Sequence, residues 1–230
     1  MKIGIIAAMP EELVYLTQNL DKPKEVQVLG NTYYTGSVGN TEVVLVQSGI
    51  GKVMSAMSVA VLANHFQVEA IINTGSAGAL AEGIAVGDVV IADKLVYHDV
   101  DVTAFGYAYG QMAGQSLYFE SDQKFITRIK ESLSQVEQTW HLGLIATGDS
   151  FIAGDDKIAS IKSHFPDVLA VEMEGAAIAQ AAQALGLPFL VIRAMSDNAN
   201  HEASISFDEF IIEAGRRSAQ VLLAFLKALN

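Results

Sequence analysis

Two carboxylates lie two positions apart in Val171-Glu172-Met173-Glu174-Gly175-Ala176-Ala177, set among apolar and small residues. An ionised Glu is almost never fully buried without a partner, so Glu172 and Glu174 imply a hydrogen-bonded, liganded or pKa-shifted role. More such groups occur elsewhere. Glu11 and Glu12 follow Pro10 directly after an apolar run, and Arg193, Met195 and Asp197 share one parity at the end of another. If that second run stays extended, Arg193 and Asp197 face the same side and a cation neighbours a carboxylate. Carboxyl groups in such positions give and take protons, the work of general acid–base catalysis. Each also has a plain structural reading. Glu11 and Glu12 suit the dipole at a helix start, Arg193 suits a buried ion pair, and Asp197 after Ser196 suits a cap or turn.

Other chemistries find less support. Gly49-Ile50-Gly51-Lys52 has the look of a phosphate loop, but positions 46 and 53 are both Val, so the first Gly and the Ser/Thr are missing. No Gly-x-Gly-x-x-Gly follows the first apolar run, which argues against dinucleotide binding. His98-Asp99-Val100-Asp101 offers alternating metal ligands without a convergent further partner, and the remaining histidines are scattered singly. Ser76 and Ser150 have no histidine base in sight and no Gly-x-Ser-x-Gly elbow occurs.

The elements that must position these groups follow from hydrophobic periodicity. Residues 2–8 read as a buried strand, and Pro10 opens a helix in its first turn. Strands fit 25–29, 33–38 and 42–47, the last two joined by Gly39-Asn40, a hairpin signal. Helical spacing covers 52–66, a buried strand 70–73, and Thr74-Gly75-Ser76-Ala77-Gly78 reads as a Gly-rich turn. Further strands fit 88–95, 143–147, 168–172 and 189–195; helices fit 122–134, 155–164, 175–185 and 207–229. This mixed alternation implies an α/β fold, a three-layer α/β/α sandwich with a central mixed sheet, in a single domain over residues 1–230. Ligands in such sheets gather where strands end, so 9–12, 75–78, 172–174 and 196–198 are expected to converge.

Composition sets the remaining bounds. With 51% hydrophobic and 17% charged residues the chain expects a deeply buried sheet, with an apolar oligomer face as a further use of the excess. A formal net charge of -12 disfavours nucleic acid and anionic membrane surfaces as partners. No run reaches the length of a membrane span, and the N-terminus lacks the flanks of a signal peptide. The absence of cysteine is compatible with a reducing cytoplasm.

Seven segments together resemble a known family. They are the run 3–12, Gln47-Ser48-Gly49-Ile50-Gly51-Lys52-Val53, Ile72-Asn73-Thr74-Gly75-Ser76-Ala77-Gly78, the run 97–107, Gly148-Asp149-Ser150-Phe151-Ile152, Val171-Glu172-Met173-Glu174, and Arg193-Ala194-Met195-Ser196-Asp197. In this order they resemble the bacterial 5′-methylthioadenosine/S-adenosylhomocysteine nucleosidases, within the nucleoside phosphorylase superfamily. The resemblance implies a nucleoside phosphorylase-like fold and hydrolysis of the adenine N-glycosidic bond without cofactor or metal. It implies that Asp197 protonates N7 of adenine, that Glu12 takes a proton from water, and that Glu174 with the Met173 backbone holds the ribose. Arg193 and Ser76 would fix the water, and Phe151 with the Ile152 backbone would bind the base. Met9, Ile50, Gly78, Ser196 and Phe207 would complete the substrate site. Val102, Phe105 and Tyr107 would reach into the site of a second subunit, which implies a homodimer.

Within the superfamily, phosphorylases are expected to bind phosphate through arginines of the N-terminal half. Here the first arginine is Arg128, and position 73 carries Asn. A bidentate phosphate clamp is therefore missing, with Lys52 as the possible substitute cation. A purine nucleoside phosphorylase and a catalytically silent nucleoside-binding protein are the alternatives. Retention of Glu12, Glu174 and Asp197 disfavours the silent protein. Ala113, where some members place Pro, bears on the 5′-substituent rather than on the reaction.

Overall fold

A computed structural model describes residues 1–134, 136–199 and 203–229. The strands in chain order are β1 (Lys2–Ala7), β2 (Asp21–Val28), β3 (Asn31–Val38), β4 (Thr41–Gln47), β5 (Ala70–Ala79), β6 (Val89–Tyr97), β7 (Phe119–Glu120), β8 (Trp140–Thr147), β9 (Val168–Glu172) and β10 (Phe189–Asp197). The helices are α1 (Pro10–Gln18), α2 (Lys52–Asn64), α3 (Gln123–Leu133), α4 (Asp155–His164), α5 (Gly175–Ala184) and α6 (Ala203–Ala228). A 3₁₀ turn at Thr103–Phe105 interrupts the long connection after β6. Among the described residues no helix is long and apolar enough to cross a membrane.

All the strands join one mixed sheet. β1 lies between β4 and β5, parallel to both, while β3 pairs antiparallel with β4 across the Gly39-Asn40 hairpin. Alternation in β1 divides the core as a strand period of two requires. Ile3, Ile5 and Ala7 pack with Leu222, Phe225 and Leu226 of α6, whereas Ile6 packs with Val59 and Leu62 of α2 and Ile178 of α5. Helices thus cover both faces, as the α/β alternation predicts.

The sheet also does something that the alternation does not announce. β10 pairs with both β5 and β6, β8 joins β6 to β9, and β9 returns to β5, so these five strands close into a ring. Register shifts between Met195 and Asp197, Ala92 and Lys94, and Leu144 and Ile145 supply irregularities of the kind that bend strands.

Two local readings are corrected. Residues 74–78 are not a turn, because β5 continues through them to Ala79. Their glycines answer to crowding instead. A Cβ on Gly75 would lie 2.7 Å from both Glu12 Oε1 and Arg193 Nη1, and one on Gly78 would lie 2.8 Å from Asp197 Oδ1. Glycine inside a strand often marks such a close approach. The second correction concerns α6, which begins at Ala203 rather than at position 207 and so brings an extra turn to the site.

Candidate active site

A cleft of about 450 Å³ opens where β1, β5, β9 and β10 end, between the starts of α1, α2 and α6. The four polar segments expected at these ends all contribute to its wall, through Met9 and Glu12, Ser76 to Gly78, Glu172 to Glu174, and Ser196 with Asp197. They meet because β5, β1 and β10 run parallel, while β9 comes back antiparallel and sets Val171 opposite Gly78.

Glu12 occupies the third position of α1 and is buried. Its Oε2 accepts the Ala8 and Met9 N–H groups at 2.9 and 3.2 Å, the Glu half of a capping box. Its Oε1 accepts the Ser76 N–H and Oγ–H, both at 2.9 Å. The helix-start reading and the site reading therefore describe one carboxylate, whose first oxygen serves the cleft and whose second serves the helix. Every donor aims at the oxygens, so the group is arranged as an acceptor.

Asp197 is arranged differently. Its Oδ1 accepts the Ala199 N–H at 2.7 Å and its Oδ2 the Ser196 hydroxyl at 2.9 Å, and burial raises its pKa above the ordinary carboxylate value. These two hydrogen bonds oppose the rise without reversing it. The shared parity of Arg193 and Asp197 does not make them a pair, since the register shift after Met195 breaks the alternation. Met195 itself is core.

Arg193 is 1% exposed and turns to other partners. Its Nη2 donates to Glu172 Oε2 in a short bond, to Asn73 Oδ1 at 2.5 Å and to Glu174 Oε2 at 3.3 Å, while Nη1 donates to the Ser76 carbonyl at 3.1 Å. Asn73 is held in turn by donating to the Ile6 carbonyl at 3.0 Å. Glu174, at the start of α5, also accepts the Gly51 N–H at 2.9 Å. Burial pushes its pKa up to about 7, against the pull of Arg193 and with the help of the Glu172 charge.

Of the remaining expected residues, Ile50, Phe151, Met173 and Phe207 line the cleft, with Phe151 and Phe207 edge to face at a centroid distance of 5.7 Å. The Ile152 side chain is buried in the core beside α4, outside the wall. Val102, Phe105 and Tyr107 lie away from this chain's own cleft, and Phe105 is 82% exposed. Lys52 is engaged elsewhere, pairing with Asp99 at 2.6 Å and Asp149 at 3.8 Å. Arg193 is thus the sole Lys or Arg in the cleft wall among the described residues. Sequence reasoning missed Ala8, Ser204 and Asp208 in the wall. Placing the start of α6 too late hid Ser204, for which the serines before Phe207 were the available signal, whereas Asp208 lay inside the expected helix with nothing local to mark it.

Known proteins match this arrangement along its whole length. The family model described as the phosphorylase superfamily matches residues 2–227. The 5′-methylthioadenosine/S-adenosylhomocysteine nucleosidase of Listeria monocytogenes serotype 4b is 48% identical, with all of both chains covered. A solved structure of the S. pneumoniae nucleosidase with the transition-state inhibitor MT-ImmA is 81% identical, covers 100% of both chains and has a TM-score of 0.98. The Neisseria meningitidis nucleosidase in complex with methylthio-immucillin-A is 42% identical over 99% of both chains, also with a TM-score of 0.98.

Proposed function

The chain belongs to the 5′-methylthioadenosine/S-adenosylhomocysteine nucleosidase family of the phosphorylase superfamily, and from that premise we propose that its cleft hydrolyses the N-glycosidic bond of these two nucleosides and of 5′-deoxyadenosine. The products are adenine and the corresponding 5-thioribose or deoxyribose. The scheme needs no cofactor.

One observation carries the choice of water over phosphate. The cleft's arginine is already committed to Glu172, Glu174 and Asn73, so the wall beside Glu12 offers carboxylates where an anion would need cations. Lys52 does not fill that place, being paired with Asp99 and Asp149.

The residues then divide the reaction. Asp197, keeping its proton above the usual carboxylate range, delivers it to N7 as the C1′–N9 bond breaks. Glu174 and the Met173 backbone hold the ribose hydroxyls, and the carboxylates around them stabilise the developing oxocarbenium charge. Glu12, steadied by Ser76, takes one proton from the water whose oxygen bonds to C1′. Phe151 and Phe207 make the apolar walls, Phe151 with the Ile152 backbone facing the base and Phe207 with Met9 and Ile50 facing the 5′-substituent. Gly78 and Ser196 complete the floor under Asp197.

The same reading makes the chain a single domain over residues 1–230 that works in the cytoplasm as a homodimer. Val102, Phe105 and Tyr107 would complete the partner's cleft. Exposed apolar side chains at Val53 and Met57 on α2, beside Ile50, support such a face.

The test is to incubate the protein with methylthioadenosine in phosphate-free buffer and measure free adenine. Adenine release independent of phosphate is expected. Release that requires phosphate, with a ribose-1-phosphate product, would make the protein a phosphorylase.

A further inference from the structure

We propose that Glu172 is a positioning residue: it clamps Arg193 to the first turn of α5 and so presents Glu174 to the cleft with acceptor capacity left for substrate. The proposal deepens the nucleosidase reading, on which it rests for the identity of the ribose hydroxyls alone.

The two glutamates are unequally employed. Glu172 accepts from four donors: the Thr147 hydroxyl in a short bond to Oε1, and at Oε2 the Glu174 N–H at 3.0 Å, the Gly175 N–H at 2.7 Å and Arg193 Nη2. Glu174 accepts from two, the Gly51 N–H at 2.9 Å and a long 3.3 Å contact with Arg193. The guanidinium is thus held mainly by Glu172, and Asn73 fixes the same nitrogen from β5. Thr147 closes the arrangement by accepting the Ala176 N–H at 2.8 Å, which ties the end of β8 to the start of α5. Four chain segments meet on one side chain that is 1% exposed.

The charges facing Glu174 make the consequence specific. Arg193 from β10 favours its ionised form, while Glu172 from β9 and Glu12 from α1 disfavour it. Gly51, the cap residue before α2, contributes its N–H, and Asp197 and Asp208 are the other acidic groups in the wall. Neutralising Glu172 removes a like charge and releases Arg193 towards Glu174, so Glu174 should lose its proton at lower pH.

Glu172→Gln is the apt variant. Its amide NH2 can donate to Thr147 Oγ1 while its oxygen faces the same N–H groups, and Glu174 still balances Arg193, so the variant keeps most of the local hydrogen bonds. The Glu174 carboxyl would be titrated by NMR in protein with carbon-13-labelled glutamate, assigned with Glu174→Gln, alongside the pH profile of kcat/KM for adenine release. The expected result is a Glu174 midpoint lowered by about one pH unit, with the acid limb of kcat/KM moving alike. Asn73→Ala, which frees the same guanidinium nitrogen from its other holder, should move the midpoint in the same direction. An unmoved midpoint in both variants, or a loss of kcat uniform across pH, would overturn the proposal. Failure of the nucleosidase reading would show separately, as wild-type protein that releases no adenine while its Glu174 still shifts on substitution.

Discussion

At the scale of single residues, the division between Glu12 and Asp197 rests on what surrounds each oxygen. Asp197→Asn should fold normally, since Oδ1 can still accept the Ala199 N–H and the new amide can donate to Ser196 Oγ. It lacks the proton proposed to go to N7, so adenine release should fall about 10²- to 10⁴-fold. Binding of a nucleoside analogue, followed by calorimetry, should persist, and unchanged turnover would show that the acid is another group. The wild-type sign follows from burial. In the proposed role activity requires protonated Asp197, so it should decline as pH rises through the elevated pKa of that group. The ribose role proposed for Glu174 opposes this on the acid side, since a carboxylate accepts hydroxyls best once ionised, here above about 7. That these carboxylates meet in one cleft was legible in residue types, because carboxylates among apolar neighbours have few idle explanations. The role proposed for Glu172 was not, since it depends on Thr147 and Arg193, which adjoin it only after folding, and on Asn73, which holds Arg193 from β5.

Elements with a complete local signal match their expected bounds, and those shaped by distant partners do not. α4 spans Asp155–His164 and β9 spans Val168–Glu172 as periodicity predicts. β5 was cut short because its glycines look like a turn when Glu12 and Asp197 cannot be seen pressing against them. The two-residue β7 has too few residues to show a period. α3 illustrates local control that does not reach the cleft. Asp122 caps it, accepting the Lys124 and Phe125 N–H groups at 2.9 and 3.0 Å. Asp122→Ala should cost about 1 kcal/mol. Thermal unfolding should then shift down by about 2–4 °C for a chain of this size, with kcat/KM for adenine release unchanged. A change in turnover would mean that α3 communicates with the site.

For the whole molecule, the exposed apolar patch on α2 and the remote Phe105 loop both look unfinished in a single chain. Replacing Val53 and Met57 together by Glu places charge in the proposed subunit face, where burial would be costly. Sedimentation should show the proposed dimer giving way to monomer, with activity lost as Phe105 and Tyr107 leave the neighbouring cleft they are proposed to complete; a dimer that survives would place the interface elsewhere. The five-strand ring has a different consequence, in the order of events along the folding path. β5 and β10 are distant in sequence, yet Asn73, Ser76, Arg193 and Asp197 become neighbours only when these strands pair. Closing so long a loop is slow, because chain entropy is lost before the contacts repay it. Helices and the β2 to β4 meander can form earlier from local contacts, so an immature chain can hold most of its secondary structure and no catalytic centre. Chemistry in this molecule should therefore be a late property of the chain, acquired in the same step that joins the two ends of its ring.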